Sequence, residues 1–463
     1  MRQPGFRRCF FRPHALAFLL AILVCAADYA ATAPCRAGEA TPAGPESSPA
    51  SWSFHAQNTD ILQGVTDFDS PYRGANSLTP DQTRETVTVT LFIARRLWEG
   101  AIVAFDPEYA QGAGLNHTHG VAGFPNGEAT KAGSPRGKLD IERLYFSQTI
   151  GLGGEQEDIP DARNQPATRK DVSRLSFTIG KLAASDLFDD NAFAHDPRAQ
   201  FLNWSVWESG AWDYPADAKG YTVGLSAELN QKAWALRYGA FQLPRVANGL
   251  ALANDVLRTV AQVLEWEGRY KLRERGGKIR LLAFANRAPM GRYDDALSAF
   301  RANPNGGPAD VTPFRAPHWK YGGAVNVEQE VAEGFGAFLR LSIADGQTEN
   351  WAFTDIDRSA TAGLSLKGTC WGRTDDTVGL AGSINGLSVA HRDYFAAGGL
   401  GILVGDGRLN YAPEEILEFY YDAKVTPLTF AHLMLDYQLI RNPGYNHDRG
   451  PANVLSTRLH LEY

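Results

Sequence analysis

From residue 51 to residue 463, the chain repeats segments of about ten residues in which apolar and polar side chains alternate strictly. In "VLEWEGRYKL" (263–272), Leu264, Trp266, Tyr270 and Leu272 alternate with Glu265, Glu267, Arg269 and Lys271. In "VSRLSFTIGK" (172–181), Leu175, Phe177 and Ile179 alternate with Arg174, Ser176 and Thr178. "EILEFYYDAKV" (415–425) and "LTFAHLMLDYQLI" (428–440) repeat the pattern. A helix requires apolar spacing of three and four, which these segments lack. A strand in a soluble sandwich alternates too, but usually runs for five or six residues. Repeated runs of about ten match strands tilted across a bilayer. Beyond residue 30 no stretch holds 18 or more uninterrupted apolar residues. A membrane form of this chain must therefore be a closed β-barrel, which pairs every backbone group internally.

A chain of 463 residues exceeds one small core, so it forms either several soluble domains or one large barrel. The formal net charge of -7 disfavours non-specific nucleic-acid binding. Arg2, Arg7, Arg8 and Arg12 precede the apolar run "ALAFLLAILVCAA" (15–27), which is too short to span a bilayer but fits a secretory signal. The expected division is a signal peptide over 1–33, a flexible Pro/Ala/Ser-rich leader over 34–50, and a barrel over 51–463. The expected location is the bacterial outer membrane. Cys9 and Cys25 fall in the signal and Cys35 in the leader, so Cys370 has no partner for a disulfide framework.

Connection lengths test the barrel independently. Short links are expected at 96–98, 230–232, 274–276, 331–333 and 426–428, with a medium one near 368–375. Long ones are expected at about 109–139, 182–220, 243–260, 288–319, 346–358, 386–414 and 441–452. Outer-membrane barrels place short turns in the periplasm and long loops outside. An even number of strands must then separate the short links. That parity makes "GGLGILVG" (398–405) part of an external loop, requires a strand in "SWSFHAQNTD" (51–60), and gives sixteen antiparallel strands. The link 152–172 is longer than the short-turn rule allows. Trp98, Tyr109, Tyr145, Trp234, Tyr270, Tyr321 and Tyr421 lie near segment ends and are expected in the interfacial girdles. The final "VLSTRLHLEY" reads as the closing strand, capped at the lipid boundary by Tyr463.

Several segments carry a family likeness: "SFHAQNTDILQGVTDFDSPYRGANSL" (53–78), "LWEGAIVAFDPEYAQGAGLNHTHGVAGFPNGEATKAG" (97–133), "IGKLAASDLFDDNAFAHDPRAQFLNWSVWESGAWDYPADAKGYTVG" (179–224) and "EEILEFYYDAKVTPLTFAHLMLDYQLIRNPGYN" (414–446). With these the chain resembles the carbohydrate-selective porin (OprB-like) family. The resemblance implies a sixteen-stranded outer-membrane barrel that passes sugars down their gradient. Leu428 stands where family members carry a tryptophan after the proline, so no sugar-stacking role is carried over to it.

The inward parity mixes both signs of charge. The candidate substrate-facing residues are Arg174, Arg237, Glu265, Glu267, Arg269, Arg280, Glu328, Arg340, Asp422, Lys424, Asp436 and Arg458. Charged groups make strong hydrogen bonds to sugar hydroxyls, and conduction needs contacts that are weak and serial. The same residues could equally form structural ion pairs between neighbouring strands. "FDDNAFAHDPRAQFLNW" (188–204) reads either as a loop folding in to narrow the channel or as a packed external cap. Asp189, Asp190 and Asp196 have no calcium-loop spacing. His117 and His119 have no evident third metal ligand. No nucleophile-elbow, zinc-protease or phosphate-loop motif occurs. The expected function is a passive porin for mono- or small oligosaccharides, without cofactor or catalysis. The expected partners are neutral sugars and outer-membrane lipid, with monomer and homotrimer both compatible. The alternatives are a barrel-embedded enzyme acting on lipid or polysaccharide and a secreted carbohydrate-binding protein.

Overall fold

The computed structural model describes residues 51–463 apart from Thr429. The expected signal peptide (1–33) and leader (34–50) lie outside the described residues. The strands run β1 (Trp52–Val65), β2 (Gln82–Trp98), β3 (Ala101–Gly112), β4 (Ser134–Gly151), β5 (Gln156–Ile159), β6 (Thr168–Asp171), β7 (Arg174–Leu182), β8 (Thr222–Asn230) and β9 (Trp234–Gln242). They continue as β10 (Val260–Leu272), β11 (Arg275–Met290), β12 (Ala316–Ala332), β13 (Phe335–Ala344), β14 (Arg358–Gly368), β15 (Arg373–Gly386), β16 (Glu414–Lys424), β17 (Ala431–Arg441) and β18 (Ala452–Glu462). All but β5 and β6 form one closed antiparallel barrel of sixteen strands. Closure is made by β1 and β18, in register from Gln57 opposite Glu462 to Val65 opposite Val454. No strand of the wall is left with an unpaired edge, which is what hydrocarbon requires.

Alternation sets the two faces of this wall. On β10, Leu264 and Trp266 are 47% and 40% exposed on the outer face, whereas Glu265 and Glu267 are 0% and 2% exposed inside. Leu435, Leu417, Phe419 and Leu455 extend the outer apolar belt. Trp98, Tyr109, Tyr270 and Tyr321 are exposed, as an interfacial girdle demands. Tyr145 departs from that expectation. It packs with Phe92, Ala94 and Ala104, whose side chains are buried inside the barrel.

One end of the barrel carries tight turns. Arg273 and Glu274 join β10 to β11 with φ of 49° and 65°, the paired left-handed geometry of a two-residue hairpin turn. The other end carries long loops, including 183–221, 291–315 and 387–413. Residues 398–405 belong to the last of these, behind the helix Val389–Ala396. The long link at the short-turn end contains the small hairpin of β5 and β6, which pairs only with itself.

The upper lumen is not empty. Trp204, Trp212, Trp351, Phe188, Phe353 and Tyr293 form a buried aromatic core drawn from several long loops. Replacing the mid-strand, lipid-facing Leu435 with Arg should lower unfolding stability by about 2–4 kcal/mol, the cost of a midplane cation on the outer face of a barrel. Denaturant titration in lipid, read by heat-modifiable migration, checks this.

Candidate functional site

Two loops enter the lumen and are bound to its inner wall. The larger, 183–221, is held by inward-facing carboxylates of the wall that accept hydrogen bonds from its backbone. The Asp189 N–H donates to Glu265 at 2.7 Å, and the Ala192 N–H donates to Glu328 at 2.9 Å. The Leu202 and Asn203 N–H groups donate to Glu418 at 2.5 and 3.2 Å. Arg458 donates to the carbonyls of Pro197 and Gln200, both at 2.8 Å. Arg340 reaches the Val206 carbonyl at 2.9 Å and the Asp189 carboxylate at 3.2 Å. The second loop, 113–133, is fixed in the same way: the Ala122 and Gly123 N–H groups donate to Glu414 at 3.0 and 2.8 Å. The two loops also bind each other, with the Gly127 N–H donating to the Leu202 carbonyl and the Trp204 N–H to the Phe124 carbonyl. Of the two readings of 188–204, the structure shows the loop that folds inward.

Most of the charged side chains expected to face substrate are engaged in this anchoring. Arg280, 1% exposed, donates to Glu267, Glu328 and Asp190. Arg237 bridges Glu228, Glu265 and Glu267. Asp422 pairs with Arg458 at 3.0 Å and with His432 at 2.7 Å. Asp436 accepts from Gln438 and Ser456. Arg174 pairs with Glu157 on β5, and Lys424 with Asp375 near the start of β15. Arg269 and Glu328 remain on the lining of an open cavity of about 920 Å³ below the large loop, together with Lys278, Glu330 and Lys367.

On the side of β1 to β4, wall and loops leave a smaller cavity between them. A cavity of about 180 Å³ there is bordered by Glu128, Lys131, Arg143, Asp186, Arg198, Trp207, Tyr214, Tyr221 and Phe353, among others. Above it, a cavity of about 160 Å³ shares Thr130 and Phe353. One side of the eyelet is an ionic ladder. Arg143 forks onto Asp186 at 2.7 and 2.8 Å and reaches Asp106 at 2.8 Å. Arg198 contacts Glu108 at 2.5 Å, Glu128 at 2.8 Å and the Thr90 hydroxyl at 2.9 Å. Lys131, Arg143 and Lys181 stand 5.7, 5.4 and 5.9 Å from the Tyr221 ring centroid, a cation–π arrangement. The other side is aromatic, with the Tyr214 and Phe353 rings 4.7 Å apart.

Asp106, Glu108, Arg143 and Arg198 were not among the residues singled out by alternation. For Arg143 the reason is a register shift between β3 and β4, where Asp106 opposes Arg143 but Pro107 opposes Ile141; Arg198 lies on a loop, whereas Asp106 and Glu108 do keep the inward parity of β3. The shifted register turns Glu142 and Arg143 both inward, so a strict two-residue count fails there. Asp186 to Tyr214 did lie within the most distinctive family-like segment.

Two carboxylates of the inserted loops, Glu128 and Asp186, are held in their ionised form by neighbouring cations. Burial opposes the charge on Glu128, but Arg198 and Lys131 outweigh it and bring its pKa down to about 2. Burial likewise opposes the charge on Asp186, and Arg143 holds it below the usual carboxylate range. A depressed folded value adds stability that is full above the unfolded value and is lost as pH falls through the folded one. The Arg198–Glu128 pair should therefore survive the ordinary carboxylate range near about 4 and loosen only as pH falls toward about 2. Single-channel conductance followed against pH measures this. Arg340→Ala should cost about 3–5 kcal/mol by leaving Asp189 buried without its cation. The same variant should raise conductance in planar bilayers as the loop loses its hold.

A family model for "Carbohydrate-selective porin, OprB family" matches residues 75–463. No curated protein matches the chain in sequence. Among solved structures, the high-pH structure of Pseudomonas putida OprB superposes with a TM-score of 0.64 at 15% identity, covering 89% of this chain and 94% of that one. The low-pH structure of the same protein gives 0.47 at 13% identity, over 89% and 93%. The outer-membrane channel DcaP of Acinetobacter baumannii gives 0.49 at 10% identity, over 89% and 97%. The first of these shares the fold of this chain, and the match over 75–463 shows that the chain belongs to the carbohydrate-selective porin OprB family.

Proposed function

We propose that this porin passes small neutral sugars, and that the eyelet between the ionic ladder and the aromatic wall is where they are selected. The observation that carries the reading is the pairing of Arg143, Arg198, Glu128 and Asp186 with Trp207, Tyr214, Tyr221 and Phe353 around one cavity of about 180 Å³. A sugar presents hydroxyls at its edge and CH groups on its faces. The edge can exchange charge-assisted hydrogen bonds with the ladder, while the faces slide along the rings. The ladder's charges are already paired with one another. A second fixed charge entering with the substrate would have to break such a pair, whereas a neutral hydroxyl joins it.

On this reading the twelve residues chosen from alternation divide into three groups. Arg237, Glu265, Glu267, Arg280, Arg340, Asp422, Asp436 and Arg458 hold the constriction in place. Arg269 and Glu328 meet the sugar after the eyelet, and Arg174 and Lys424 belong to the rim. The outer apolar belt contacts outer-membrane lipid, and residues 1–33 direct export.

Planar-bilayer conductance tests the specificity. Glucose and longer oligosaccharides should reduce ion flow more than organic acids of similar size do. Strong block by organic acids with none by sugars would reject it. Tyr221→Ala should weaken sugar block with little change in ion conductance, because stacking acts on the sugar and not on small ions.

A further inference from the structure

The segment 152–173 is far longer than a link at the short-turn end needs to be. Its strands β5 and β6 are in register from Gln156 opposite Asp171 to Ile159 opposite Thr168, and the hairpin adds nothing to barrel closure. Its base is held near its own exit: Arg174 pairs with Glu157, and the Asn230 side chain donates to the Val172 carbonyl. Its tip crosses the mouth to β1 and β2. There the Ser53 hydroxyl donates to Asp161 at 3.1 Å, His55 lies 3.2 Å from the same carboxylate, and Arg96 donates to the Ala167 carbonyl at 2.8 Å.

Fixed at both ends, the hairpin sends Arg163 into the lumen. The guanidinium lies 2.7 Å from Asp196 on the inserted loop and 3.3 Å from Glu462 on β18. Arg163 is the one described residue that borders both the eyelet cavity of about 180 Å³ and the lower cavity of about 920 Å³. A solute leaving the eyelet for the lower cavity therefore passes this side chain. The lower cavity is itself cationic at its rim, where Lys232, Lys271 and Lys278 outnumber nearby carboxylates.

We infer that residues 152–173 form an exit gate, and that Arg163 is a selectivity-determining side chain at the boundary between eyelet and vestibule. The inference rests on the sugar-channel reading for its substrate, but not for its geometry. Arg163 masks the charge of Asp196 and narrows the opening, so ions and sugars both register its loss.

Four proteins test it in planar bilayers: the full channel, Arg163→Ala, Arg163→Lys, and a variant in which residues 155–170 are replaced by a short glycine-containing turn. Heat-modifiable migration first establishes that each is folded. Arg163→Ala should shift the reversal potential in a salt gradient toward cations, because Asp196 is left uncovered, and should raise the glucose concentration needed for half block. Arg163→Lys should keep the original reversal potential, and the shortened hairpin should raise conductance. Folded Arg163→Ala and shortened channels with the original reversal potential, conductance and glucose block would overturn the gate. A full channel that glucose does not block, combined with a shifted reversal potential in Arg163→Ala, would instead reject the sugar reading and leave the gate standing.

Discussion

Everything distinctive in this barrel depends on one requirement: peptide groups buried inside the wall must find hydrogen-bond partners. A sixteen-stranded wall satisfies its own backbone, but the loops folded into its lumen are irregular and cannot. Inward-facing carboxylates meet that need. Glu265, Glu328, Glu418 and Glu414 each accept from main-chain N–H groups of an inserted loop. Inside the loops the same device recurs, as Asp213 accepts from the N–H groups of Trp351, Ala352 and Phe353 at 2.8 to 3.0 Å. Asp355 does likewise for Leu403 and Val404. The external loops are thereby linked into one plug whose centre is aromatic.

This economy divides the lumen. Much of the wall from β10 to β18 is spent on anchoring, with charges such as Arg280, Arg340 and Arg458 withdrawn from solvent, while Arg269, Lys278 and Lys367 still line the lower cavity. On the side of β1 to β4, Arg143 of β4 and Arg198 of the inserted loop line up with alternating carboxylates beside the smaller cavity. A charge that fixes a loop and a charge that meets a solute have the same residue type and the same parity along a strand. What separates them is whether the loop lies over them.

Much of the architecture was legible from alternation and spacing alone. Leu264 and Trp266 against Glu265 and Glu267 gave the two faces of β10, and the parity of short links placed 398–405 outside the wall. The over-long link at 152–172 was visible as an anomaly, though its hairpin and the reach of Arg163 were not. The eyelet was less legible. The shift opposite Pro107 breaks the two-residue count just where Arg143 turns inward, and Tyr145, counted as an interfacial aromatic, is inside for the same strand's reasons. Lys131 and Arg198 lie on loops, where no periodicity exists to read.

The sequence by itself determined that each strand shows one oily and one wet side, that the ring must close, and which end carries the long loops. These follow from local rules, because a side chain's face depends only on its position along a strand. Tertiary structure alone decided which inward charges meet a solute. That choice depends on where residues 183–221 come to rest, and the resting place is set by partners such as Glu418 and Arg340, more than a hundred residues distant in the chain.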